Sequence, residues 1–351
     1  VAATLLFAMA SSVEASDDGP ILRITPGGHT AMVKWVGFTP DGRTLVSLGD
    51  DKAIHLWDVA EPSRPRHVAT HRLQVGPGPG GKLYAGAISP DGRVLAVSGY
   101  GFDRLRREEK NAVWLVELAT GIVRNVLHGH SASIVALAFS PDGRLLASGS
   151  HDTTVRVWDL AGDLAGGAGG GRGDLSPLAT LEGHKRVVYG LAFLPATDRG
   201  GAGAGGPYRL VSGSLDRTLR LWAVDPARPA GQAGRLLSVG RGHDGEVFRV
   251  AVSPDGRRIA SASFDRTVRL WRVDADGALD SQRTLRPGYS KRATGVAFSP
   301  DGRRLLASGR NPDRIHVYDA DGGSPQARFD GHDNTIMHLA WRPDGGLVAS
   351  A

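Results

Sequence analysis

The chain has 351 residues and 41% hydrophobic residues, enough to bury a large core, and it has no cysteine. That excludes disulfides, cysteine-based zinc sites and a thiol nucleophile within these residues. The net charge of +6 comes mostly from arginines spread evenly along the chain. Few aromatics lie among them, which argues against a nucleic-acid groove.

The first stretch, VAATLLFAMASSVEA, is apolar and ends in small residues around Val13 and Ala15. It reads as the apolar and cleavage regions of an export signal, too short to span a bilayer. We therefore divide the chain into a leader or anchor remnant, 1–19, and a folded region, 20–351.

From there a pattern recurs. A Gly-His pair supplies His29, His130, His184 and His243. A serine follows 18 residues later as Ser47, Ser148 and Ser261. Ser212 comes 28 residues after His184, because ATDRGGAGAGGP intervenes. Four residues after each serine stands Asp51, Asp152, Asp216 or Asp265, and six further on Trp57, Trp158, Trp222 or Trp271. Each aspartate opens an alternating apolar strand, as in GSHDTTVRVWDL, and a carboxylate beside a buried strand needs a partner. A catalytic site does not need four copies; a structural repeat does. Pro-Asp-Gly tight turns punctuate the same units at Thr39–Gly42, Ser89–Gly92, Ser140–Gly143, Ser253–Gly256, Ser299–Gly302 and Arg342–Gly345.

Gly-His, then SPDG, then S-G-S-x-D-x-T-V-R-L-W-D, recurring in register from Pro20 to Ala351, resembles the WD-repeat β-propellers of bacterial type. The resemblance implies an all-β fold, a seven-bladed propeller of four-stranded antiparallel blades. Blades are expected near 32–71, 83–127, 134–181, 187–239, 247–285 and 293–329, with a last, incomplete one at 332–351. It also implies that Pro20–Ile24 closes the ring as an outer strand, that each His–Ser–Asp–Trp set is a hydrogen-bonded structural network, and that the chain is a fragment of a longer protein. Blades 2 and 6 break the pattern. Blade 2 has Phe102 and Val116 at the equivalent positions. Blade 6 has Ser290, Pro312 and Tyr318, with Asp313 one place off. Both are expected to hold by packing alone.

Several short motifs lead nowhere. GPGPGGK at 76–82 has phosphate-loop spacing, but Leu83 and a strand follow it. GAGAGG at 201–206 precedes Pro207 and a strand, not a helix. DADGALD at 274–280 and DADGG at 319–323 lack the late glutamate of a calcium loop. Arg172–Asp174 spells an adhesion tripeptide within a Gly-rich linker. No cofactor, metal site, catalytic residue or small-molecule substrate is expected.

Function is therefore sought on the surface, as a non-catalytic scaffold presenting top-face loops to a partner protein. Blade 2 offers extended top loops, QVGPGPGGK and GYGFDRLRREEKN, with Tyr100, Phe102, Arg104, Arg106 and Arg107 as candidate contacts. Around the channel mouth, His151, Lys185, Leu215, Asp244, Glu246 and Phe264 are the others. The alternative is the regulatory propeller of a larger bacterial enzyme, such as a caspase-like peptidase, with its catalytic domain beyond Ala351. The leader favours export to the periplasm or cell envelope. A membrane anchor continuing before Val1, and a cytoplasmic chain, are the other readings.

Overall fold

A computed structural model describes residues 5–9, 21–24, 28–73, 81–100, 111–161, 175–195, 206–332 and 334–351. Its first strands are β1 (Leu5–Met9) and β2 (Ile21–Ile24). Blade 1 follows with β3 (Val33–Phe38), β4 (Thr44–Gly49), β5 (Ala53–Asp58) and β6 (Arg66–Arg72). Blade 2 comprises β7 (Lys82–Ile88), β8 (Val94–Tyr100), β9 (Val113–Glu117) and β10 (Val123–Leu127). Blade 3 comprises β11 (Ile134–Phe139), β12 (Leu145–Ser150), β13 (Val155–Asp159) and β14 (Ala179–Leu181). Blade 4 has β15 (Val188–Phe193), β16 (Tyr208–Ser214), β17 (Leu219–Val224) and β18 (Gly234–Gly240). Blade 5 has β19 (Val247–Val252), β20 (Arg258–Ser263), β21 (Val268–Val273) and β22 (Leu279–Leu285). Blade 6 has β23 (Arg292–Phe298), β24 (Arg304–Arg310), β25 (Ile315–Asp319) and β26 (Pro325–Phe329). The last strands are β27 (Leu339–Trp341) and β28 (Leu347–Ser350).

Each blade is a four-stranded antiparallel meander in sequence order. The turns explain the meander. In the Pro-Asp-Gly turns the glycine takes a positive φ, from 68° at Gly42 to 77° at Gly143, where a side chain would be strained. Its N–H closes the turn, as Gly143 does on Ser140 O at 2.9 Å. The Ser140 hydroxyl donates to Asp142 at 2.6 Å and accepts from Leu145 N at 2.8 Å, so no polar group of the turn is stranded.

The middle strands of a blade are the most buried and the outer strand the least, as β16 and β18 show. Strand β12 is buried throughout, whereas β6 is mostly exposed. Hydrophobic clusters fill the gaps between neighbours. Val155, Val157 and Leu181 of blade 3 meet Val188, Leu210 and Trp222 of blade 4. Trp271 of blade 5 packs on Val211 and Leu221 of blade 4.

The expectation of seven blades, the last one incomplete, needs correction. Six blades use four consecutive strands, and the remaining sheet is a composite in the order β2-β1-β28-β27. Strand β2 is its outermost strand, and β1 sits between β2 and β28, pairing Phe7 with both Leu22 and Ala349. The backbone of Leu5–Met9, read from sequence as leader, thus supplies a third strand to a sheet expected to lack one. The composite sheet touches blade 6 through Leu339 and Val348 and blade 1 through Leu347 and Ala349. Among the described residues no helix is long and apolar enough to cross a membrane.

A β-bulge recurs in the innermost strand of all six blades, just before Trp35, Ala85, Ala136, Gly190, Arg249 and Gly295. Bulges re-aim side chains. These six residues line the central channel, with His338 of the segment before β27.

Candidate functional site

The four repeated sets come together as buried networks. In blade 3, His130 Nδ1 lies 2.7 Å from Asp152 Oδ2, and its Nε2 lies 2.6 Å from Ser148 Oγ. Blade 1 repeats this at 2.8 and 2.8 Å, blade 4 at 2.8 and 2.8 Å, and blade 5 at 2.7 and 2.7 Å. The indoles of Trp57, Trp222 and Trp271 donate to their serines at 2.9, 2.8 and 2.8 Å.

Trp158 is the exception. Its Nε1 is buried without a hydrogen-bond partner. The fully buried indole is held by packing against Leu115 and Ile134.

Burial alone would raise these carboxyls. Hydrogen bonds and charge from His130 and donation from Thr154 outweigh it, holding Asp152 well below the usual carboxylate range. Asp216 and Asp265 are held low by the same opposition, and Asp51 by burial set against His29, His55 and the Thr30 amide. Each network also fixes the geometry of one face. It ties the histidine segment that enters a blade to the turn between its second and third strands. Lys52, Thr153, Arg217 and Arg266 in those turns take positive φ of 64° to 72°.

Blade 6 holds itself by more than packing, which corrects the sequence reading. Tyr289 is buried where the histidine would stand, and its hydroxyl donates to Ala307 O at 2.8 Å. Ser290 instead donates to Asn311 O at 2.9 Å, on the exposed side. The composite sheet keeps a histidine–serine pair, His332 Nε2 to Ser350 Oγ at 2.7 Å.

The turns carry the candidate contacts onto the top face. His151, Lys185 and Asp244 are exposed, while Leu215, Glu246 and Phe264 are half-buried. Glu246 pairs with Arg186 at 3.0 Å, linking blades 4 and 5. An aromatic row joins two of them, His151 and Phe264, through Tyr189 and Phe248, which the sequence reading did not single out. His151 meets the Tyr189 ring edge-on at 5.9 Å, Tyr189 lies 4.7 Å from Phe248, and Phe248 lies 5.6 Å from Phe264. The Arg292 guanidinium caps Phe264 at 4.8 Å. Tyr189 and Phe248 are each the residue just before a channel residue, a register visible in the repeat only once the bulge is known. The side chain of Tyr100, and Phe102, Arg104, Arg106 and Arg107, lie outside the described residues.

The channel offers little chemistry. Its cavity is about 80 Å³, against the several hundred Å³ of an ordinary ligand pocket. Trp35 and His338, 5.6 Å apart, line it together with Arg249. Burial pushes His338 far below the usual histidine range and Arg249 down to about 10. No carboxylate or hydroxyl side chain is among the lining residues.

The family model described as "WD domain, G-beta repeat" matches residues 15–58, 121–159, 175–223, 234–272 and 323–351. Among curated proteins, the chain is 27% identical to the guanine nucleotide-binding protein subunit beta of Arabidopsis thaliana, over 92% of this chain and 78% of that one. It is 30% identical to the nuclear distribution protein PAC1 of Arthroderma otae, over 70% of this chain and 61% of that one. It is 23% identical to apoptotic protease-activating factor 1 of Rattus norvegicus, over 92% of this chain but only 25% of that one.

Proposed function

Because the chain belongs to the WD-repeat family (WD domain, G-beta repeat), we propose that it is a non-catalytic scaffold that docks a partner protein on its top face. The observation that carries this reading is the row Tyr189–Phe248–Phe264 under Arg292. Aromatic and arginine side chains held rigidly beside exposed charges are the usual anchors of a protein interface. We count the composite sheet as the closing blade of a seven-bladed ring, which holds the row in a fixed curve. The blade 2 segment 101–110, which carries Phe102 with Arg104, Arg106 and Arg107, extends the docking surface in this proposal.

The test is co-purification of partners with the wild-type chain, with Phe264→Ala, and with 101–110 replaced by a short turn. The expected result is loss of the same protein from both variants, with thermal unfolding unchanged. Retention by both variants would remove the proposal.

A second reading is favoured by the fact that this chain spans only a quarter of one relative's length. It makes the propeller the sensor part of a larger enzyme, and reading the coding frame beyond Ala351 tests it. Export to the cell envelope stays a proposal resting on the composition of residues 1–15.

A further inference from the structure

Blade 1 departs from the other networked blades at two positions, and both face Asp51. Two residues past the aspartate, Thr154, Thr218 and Thr267 donate their hydroxyls to Oδ1 of Asp152, Asp216 and Asp265 at 2.7, 2.6 and 2.6 Å. Blade 1 has Ala53 there, so Asp51 lacks that donor. Four residues past the aspartate, the other blades carry Arg156, Arg220 and Arg269, whose guanidinium groups cover the glycine before each histidine. Blade 1 has His55, buried to 2% exposure.

The two nitrogens of His55 differ. Nδ1 lies 3.0 Å from His67 Nε2 and 3.1 Å from Thr70 Oγ1. Nε2 has no hydrogen-bond partner, and it points toward Asp51 Oδ2 at 3.8 Å. With the ring proton on Nε2 the imidazole faces Asp51 as a donor held too far off, at 3.8 Å; with it on Nδ1, donated to either neighbour, the Nε2 lone pair faces the carboxylate. An acceptor facing an acceptor in a buried site is costly. A cation between them satisfies both. The His29 ring stands 4.3 Å from the His55 ring, on the same carboxylate.

We propose that His29 Nδ1, the Asp51 carboxylate and His55 Nε2 form a site for a divalent transition metal of the zinc class. Two imidazoles and a carboxylate are the donor set such ions take, with a fourth position left for water. Among the described residues, these three form the one group whose ligand atoms all fall close together, within 4.8 Å of one another. Around tetrahedral zinc, with bonds of about 2.0–2.1 Å, donors stand roughly 3.4 Å apart, so small side-chain rotations close the site. The network survives. With its proton moved from Nδ1 to Nε2, His29 donates to Ser47 Oγ at 2.8 Å, beside the Trp57 indole. His67 is an outer partner that orients His55. The sequence reading saw here only one more structural set and expected no metal.

The test is zinc titration of chelator-stripped, full-length chain by calorimetry, with the visible spectrum of the cobalt(II) form. The expected result is one zinc per chain, a tetrahedral cobalt band and a raised unfolding temperature. His55→Arg rebuilds the arrangement of the other blades and is expected to abolish all three. Ala53→Thr, which restores the competing hydroxyl, and His67→Gln, which removes the outer partner, are each expected to weaken binding about 10-fold or more. Circular dichroism establishes that the variants are folded, and His55→Gln replaces His55→Arg should the latter misfold. No zinc binding by the wild type, or equal binding by a folded His55 variant, would overturn the proposal.

Discussion

At the scale of single residues, Asp152 shows what the repeated carboxylates do. It accepts from His130, from Ser131 N at 3.0 Å, and from the Thr154 amide and hydroxyl at 3.0 and 2.7 Å. Asp152→Ala strands these donors and is expected to cost about 2–4 kcal/mol in denaturant unfolding. Tyr289→Phe removes one hydroxyl bond and is expected to cost about 1 kcal/mol. The pH dependence has two parts. The depressed carboxyls contribute stability that is complete above their unfolded value, about 4, and is lost as the pH falls through their lower folded values. Burial depresses His184 and His338, so the unfolded chain binds protons first. Stability therefore falls as the pH drops through about 6.5. Melting temperature against pH is expected to decline in both windows, and His338→Leu, if folded, to flatten the one near pH 6.5. These networks were legible because each repeats with fixed spacing. Tyr289 was not, since the reading looked for histidine, though Gly288-Tyr289 stands where the other units have Gly-His.

At the scale of elements, the turns and inner strands followed from Pro-Asp-Gly and the apolar alternation. The composite sheet did not. Pro20–Ile24 was legible as an outer strand because it precedes the first Gly-His pair. Leu5–Met9 was not, because a continuous apolar run has no period of two and reads equally as leader or strand. It pairs with β28, so its loss would open the edge of that strand. Deleting residues 1–19 is expected to lower the melting temperature by several degrees and promote aggregation, read by light scattering. An unchanged melting curve would exclude β1 from the folded ring. The bulge before each channel residue was also hidden, because one inserted residue leaves no mark in hydrophobic pattern.

At the scale of the whole molecule, the sheets form a ring around a cavity of about 80 Å³ that, among the described residues, no carboxylate or hydroxyl side chain lines. The buried networks rigidify the turns above it, and those turns frame the aromatic row. Fold and stability thus lie in the repeats. The most direct measurement is photo-crosslinking in the source cells, with a benzoylphenylalanine at Phe264 on the top face or at exposed Arg257 on a Pro-Asp-Gly turn of the other face. The account predicts a discrete protein adduct from position 264, absent from position 257, and lost when Tyr189→Ala is added. Adducts from position 257 alone, or none from position 264, would contradict a top-face scaffold.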